Sequence, residues 1–189
     1  MHAADLVQQG FTGLKLYISY GAKHGKEGLK KNVAFVKAVR EAVGDDVDIM
    51  IDCLFTDPPT NDLLYITELA NKLEPYRITW LEEALHFDDN TAYAALARST
   101  SIPIALGERV YNRWQFKDLM MHSAVKVYQP DVLHAGGITE LRKITALAST
   151  FGVTVAPHAC ESCIANVQFL FSQPTRTCPW AEWNVMVNH

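Results

Sequence analysis

"ITWLEEAL", residues 78–85, runs from a short apolar stretch straight into two adjacent carboxylates, Glu82 and Glu83. Five residues of this kind are too few for a helix and suit a strand buried on both faces. The charge then marks the place where the strand ends. The same design recurs along the chain: "GLKLYI", "VDIMID", "IPIALGE", "AVKVYQ" and "VTVAPH" are brief β-type runs that finish at or near a polar residue. Between them lie longer amphipathic segments, "GLKKNVAFVKAVREAV", "NDLLYITELANKL", "NTAYAALARS", "RWQFKDLMM" and "ITELRKITALASTFG". Regular alternation of strand and helix predicts an α/β fold with a parallel sheet and helices packed outside it.

The helical segments repeat apolar residues three and four apart, as in Val33, Val36, Ala38 and Val39, and in Leu141, Ile144, Leu147 and Ala148. Gly44 and Gly152 sit where a helix hands over to the next strand. Six strands are clear and "CPWAEWNV" is a candidate seventh. No G-x-G-x-x-G or P-loop follows any of them, which argues against a nucleotide-binding doubly wound sheet. A (β/α)8 barrel has eight strands and typically about 250 residues, so a chain of 189 is short for one.

Composition narrows the function. A formal charge of -4 with no basic stripe disfavours nucleic acid and anionic membrane surfaces as partners. No run approaches the roughly 20 apolar residues of a membrane span, and the start "MHAADLVQQG" lacks a signal-peptide profile, so a cytoplasmic location is expected. A small-molecule substrate fits better, and the pattern leaves room for a homo-oligomer. The four cysteines, Cys53, Cys160, Cys163 and Cys178, are too sparse for a disulfide framework. A zinc site built from His158, Cys160, Cys163 and Cys178 is the alternative that C-x-x-C spacing raises.

Set side by side, the strand ends carry Lys15 and Tyr17, Asp52, Glu82 with Glu83, Glu108, Asp131, His158 and Glu182. In an α/β barrel that end is the active-site face. Carboxylates gathered there repel each other, and burial worsens the conflict unless a cation is present. Asp52, Glu82 and Glu108, from three separate strands, offer the all-oxygen ligation that suits Mg²⁺. Taken singly, each acid is more simply read as a helix cap or an ion-pair partner.

The motifs "GFTGLKLY", "IMIDCLF", "WLEEA", "LGER", "YQPDVLHAGGITE" and "VAPHA", in this order, resemble the enolase superfamily, in particular the mandelate racemase/muconate lactonizing group and its acid-sugar dehydratases. The resemblance implies a partial TIM-type barrel. Residues 1–189 would be the catalytic domain holding strands two to eight, with the first strand, the last helix and an N-terminal cap lying outside the chain. It matches Asp52, Glu82 and Glu108 to the family's metal ligands, with Glu83 orienting a ligand or meeting a neighbouring lysine. His158 matches the catalytic histidine and Asp131 its paired aspartate. Glu182 resembles the acid that hydrogen-bonds the developing enolate.

The implied chemistry is Mg²⁺-assisted removal of the proton next to a carboxylate, as in enolase-superfamily sites generally. His158 would be the base, with Asp131 holding its tautomer and stabilising the imidazolium. Racemase-like members have K-x-K on the first visible strand, where this chain reads Lys15-x-Tyr17. One-base chemistry is therefore expected: dehydration of an aldonate or aldarate to a 2-keto-3-deoxy acid, with His158 or Tyr17 protonating the departing hydroxyl and Lys15 contacting the substrate carboxylate. Tyr17 reads equally well as a packed barrel residue. His24, in the loop "SYGAKHGKEG", and Arg109 with Arg113 are further candidates for substrate contact, or else solvated surface groups. The other readings are a cycloisomerase or epimerase on the same scaffold, and a non-catalytic truncated fragment.

Overall fold

The computed structural model describes residues 3–53, 62–122, 124–160 and 163–185. It separates into two compact units, Met1–Ile104 and Ala105–His189, each with its own set of parallel strands.

In the first unit, α1 (Ala3–Gln8) precedes β1 (Gly13–Tyr17), α2 (Gly25–Val43), β2 (Asp48–Asp52), α3 (Leu63–Leu73), β3 (Ile78–Glu82) and α4 (Asn90–Ser99). The strands pair in the order β1-β2-β3. Their apolar residues are buried on both faces in β2 and β3, as expected for strands covered by helices. The α2 stripe that faces the core is Leu29, Asn32, Val36, Val39 and Arg40. Ala38 proves exposed, because it lies one residue off the stripe. The helix stops at Gly44, whose φ of 78° is available to glycine at little cost.

Arg40 is a feature that periodicity does not announce. It is 8% exposed, and its guanidinium donates to four main-chain carbonyls: Tyr76, Gly44, Val47 and Arg77. Burial, and then the neighbouring Arg77, pull its pKa below the ordinary guanidinium value.

The first unit also contains a register shift between Ile49 and Met50: Ile49 pairs with Ile78, yet Met50 pairs with Trp80. Thr79 is thus an extra residue on β3, held by its hydroxyl donating to Asp48 Oδ1 at 2.9 Å. Without that bulge Asp52 would stand opposite Leu81; with it Asp52 stands opposite Glu82.

The second unit contains most of β4 (Ile104–Leu106), then α5 (Asn112–His122), β5 (Val127–Tyr128), α6 (Val132–Ala135), α7 (Ile138–Thr150), β6 (Thr154–Val155) and α8 (Ile164–Phe171). Its strands pair as β4-β5-β6. Tyr128 meets Phe116 edge-on at 5.6 Å, fully buried, while Leu141, Ile144 and Ala148 of α7 fill the rest of the core. Gly107 has φ +142°, and a Cβ there would lie 2.8 Å from the Gln129 nitrogen. Only glycine fits at this close approach, which sets the direction of Glu108.

The expected seventh strand does not form among the described residues. "CPWAEWNV" runs as irregular chain, tied in by Val155 N–H donating to Thr177 O and Cys160 N–H to Glu182 O. Pro179 and the wide spacing of these two bonds prevent a ladder. Among the described residues no helix is long and apolar enough to cross a membrane.

Candidate active site

In the first unit the bulge aligns Tyr17, Asp52 and Glu82 in one row across the carboxyl ends of β1, β2 and β3. Asp52 and Glu82 are 4% and 1% exposed. Burying two adjacent carboxylates requires a counter-charge. Lys15, two residues before Tyr17 on the same face of β1, supplies it: its Nζ lies 2.8 Å from Glu82 Oε1 and 3.4 Å from Asp52 Oδ2. Trp80, also two residues back, donates its indole N–H to Glu82 Oε2 at 3.0 Å. The carboxylate of Glu82 is therefore fixed at both oxygens. Tyr17 is 49% exposed, which sets aside the reading of a packed barrel residue. Glu83 is buried and has φ 42°, so the chain turns sharply as soon as β3 ends.

Cys53 follows Asp52 directly and is buried. Burial first, then the charges of Asp52 and Glu82, push its thiol pKa well above the ordinary value, so it stays protonated. His24 accepts the Gly21 N–H at Nδ1 and sets its ring edge-on to Tyr20, a contact that organises its own loop.

The second unit centres on His158. Its Nδ1 is 3.0 Å from Asp131 Oδ2 and its Nε2 is 3.1 Å from Glu108 Oε2, with 28% of the side chain exposed. Asp131 serves two ends. Its Oδ1 caps α6 by accepting from the Leu133 and His134 N–H groups, leaving Oδ2 for the imidazole. Burial works against its charge, but the bonds from His158, Leu133 and His134 outweigh it and hold its pKa below the ordinary value. Capping and pairing, which look like rival explanations in the sequence, are both true of this residue. Glu182 Oε2 accepts from the Ala159 N–H at 3.4 Å, next to the histidine.

Other candidates have structural duties. Arg113 pairs with Glu140 of α7 and lies over the Trp114 ring, while Arg109 Nε is 3.2 Å from Glu108 Oε1. The zinc alternative falls away. Cys160 and Cys178 are buried, the Cys160 thiol donates to Pro157 O, and burial raises the Cys178 pKa to about 11. Among the described residues no group of three His, Cys, Asp or Glu side chains is gathered closely enough to hold a metal ion.

Whether a hard divalent cation suits the first unit's carboxylates is answered by their chemistry. Both offer only oxygen, both are almost wholly removed from water, and both already balance one positive charge at Lys15. That donor set fits Mg²⁺.

Parallel strands that end in a carboxylate row in one unit, and in a carboxylate–histidine–carboxylate bridge in the other, define a β/α protein whose strand ends carry its charged side chains. The chain belongs to the family described as Enolase C-terminal domain-like, which it matches over residues 1–187. It is 36% identical over 179 residues to L-rhamnonate dehydratase of Saccharopolyspora erythraea, covering 94% of this chain and 44% of that protein. The crystal structure of rhamnonate dehydratase from Gibberella zeae complexed with Mg superposes with a TM-score of 0.83 at 37% identity, over 93% of this chain and 42% of that one. The 3,6-anhydro-D-galactonate cycloisomerase from Zobellia galactanivorans gives 0.73 at 34%, over 83% and 42%. The chain spans less than half the length of these relatives.

Proposed function

We propose that this chain carries the catalytic groups of a sugar-acid dehydratase, one that removes the proton α to a carboxylate and releases the β-hydroxyl to give a 2-keto-3-deoxy acid. The observation that carries the reading is the His158 imidazole bridging Asp131 and Glu108 at 3.0 and 3.1 Å. Its partial exposure leaves it open to a substrate, and a carboxylate at Nδ1 fixes the tautomer in which Nε2 is the basic nitrogen. With Glu108 turned away, Nε2 takes the α-proton and Asp131 stabilises the imidazolium.

The hydroxyl then leaves with a proton from His158 or from Tyr17, whose exposure suits it to substrate contact. Lys15 meets the substrate carboxylate, and Glu182 hydrogen-bonds the developing enolate. Asp52 and Glu82 would offer the oxygen ligands for Mg²⁺, and Glu108 is the third ligand that the family resemblance assigns. Bound there, Mg²⁺ would supply Lewis-acid stabilisation of the charge that builds up on the carboxylate oxygens. The dehydratases among the relatives, one of them complexed with Mg, support this reading.

A second reading, cycloisomerisation, is favoured by the likeness to the anhydro-galactonate enzyme. Product analysis separates the two, because only dehydration loses water.

The test is deuterium exchange from solvent into the α-position of a panel of aldonates and aldarates, using the chain and His158→Ala. Loss of a general base lowers the rate by about 10²–10⁴-fold. Equal exchange by both proteins would refute His158 as the base.

A further inference from the structure

The turn that carries His158 is held in an unusual way. Ala159, the next residue, has φ +51°, a left-handed conformation that costs a non-glycine residue of order 1 kcal/mol. Such a turn persists only when its surroundings over-determine it. Four contacts do so here. His158 N–H donates to Pro130 O at 3.3 Å, Ala159 N–H to Glu182 Oε2 at 3.4 Å, and Cys160 N–H to Glu182 O at 3.1 Å. The fourth and shortest is a side chain: Asn166 Nδ2 donates to the His158 carbonyl at 2.7 Å.

Asn166 is an odd residue for its position. It is the third residue of α8, within the apolar run "IANVQFLF", and it is fully buried. An asparagine in a first helical turn ordinarily serves the helix's own backbone. This one reaches back across the loop instead. Because its partner is a carbonyl oxygen, the atom facing it has to be the amide nitrogen, which settles the orientation of the side chain. Its Oδ1 finds no hydrogen-bond partner among the described residues. Burying an amide with one end unsatisfied is unfavourable, so the bond at the other end is the reason such a residue is tolerated there.

We infer that Asn166 is a positioning residue: its amide pins the main chain at His158 and so holds the imidazole between Asp131 and Glu108. This rests on the reading of His158 as the base. The aspartate controls the ring from one side and the asparagine anchors the backbone from the other. Releasing the backbone lets the ring drift, and a displacement of about 1 Å at a reacting group costs up to about 10²-fold in rate.

Two variants test it, Asn166→Leu, which keeps the bulk, and Asn166→Ala, which removes the amide; both lack the donor. In each, backbone amide exchange followed by mass spectrometry is expected to quicken at least about tenfold at residues 158–160, with protection in α7 and β5 unchanged. The rate of α-deuterium exchange falls about 10–100-fold while KM stays within about threefold. Unchanged protection at 158–160 overturns the inference, as does loss of protection across the whole unit, which would make Asn166 a core residue only. Should the leucine variant fail to fold, the alanine variant decides. A wild-type chain that exchanges no sugar acid would sink the dehydratase reading alone, and the amide-exchange result would still decide whether Asn166 pins the turn.

Discussion

The two charged centres use the same side-chain types in opposite ways. In the first unit Asp52 and Glu82 are nearly sealed from water and share the ammonium of Lys15. In the second, Asp131 and Glu108 flank a histidine, the one side chain whose charge changes near neutrality, with more than a quarter of it exposed. One centre holds a positive charge; the other, in the chemistry proposed for it, moves a proton. Burial separates them: a sealed ion pair is rigid and strongly coupled to folding, whereas a partly open one exchanges with its surroundings.

The sharpest way to break this contrast is to remove the cation from each side. Lys15→Met leaves two buried carboxylates without the ammonium they share and is expected to lower the unfolding free energy by about 3–5 kcal/mol in urea titrations. Added Mg²⁺ should restore part of that loss if the pair binds the ion. His158→Ala, by contrast, is expected to cost no more than about 1 kcal/mol, because Glu108 is partly exposed and buried Asp131 keeps the Leu133 and His134 N–H groups as donors. Similar losses for the two would erase the distinction.

Acid sharpens the comparison from the second unit. Asp131 has its folded-state pKa below the ordinary value of 3.8, so the stability it contributes is present above that value and disappears as the pH falls through the depressed one. Asp131→Asn is therefore expected to flatten the stability curve below about pH 4 while leaving it parallel to wild type near neutrality. A difference confined to pH 6–8 would assign the effect to the histidine instead. A comparably small effect on stability comes from Thr79→Val, which removes the hydroxyl that holds the β3 bulge to Asp48. It should cost about 1 kcal/mol and, by loosening the row of Tyr17, Asp52 and Glu82, weaken Mg²⁺ stabilisation more than it weakens folding.

Much of this was legible beforehand. The α4 segment and β3 coincide with "NTAYAALARS" and "ITWLE", because the first has a helical period opened by an asparagine and the second is a short apolar run closed by a carboxylate. The strand-end acids were legible too, since charge at the end of a buried run is rare enough to notice. The bulge was not. Nothing in "ITW" says that Thr79 is an extra residue, because register is a property of two strands and a sequence shows one at a time. The α8 helix was missed for a related reason: "IANVQFLF" is apolar nearly all round and gives no period. Asn166 was missed with it, although a lone amide in that run was the available signal. "CPWAEWNV" had strand-like composition, but its proline and its sparse bonds to the second unit's sheet left it irregular.

Arg40 has a consequence of a different sort. Its guanidinium is neutralised by the dipoles of four carbonyls, while the carboxylate row relies on a full opposite charge at Lys15. Dissolved ions screen charges but scarcely touch short bonds to the main chain. As ionic strength rises, the join between α2 and the chain before β2 and β3 should therefore keep its hold.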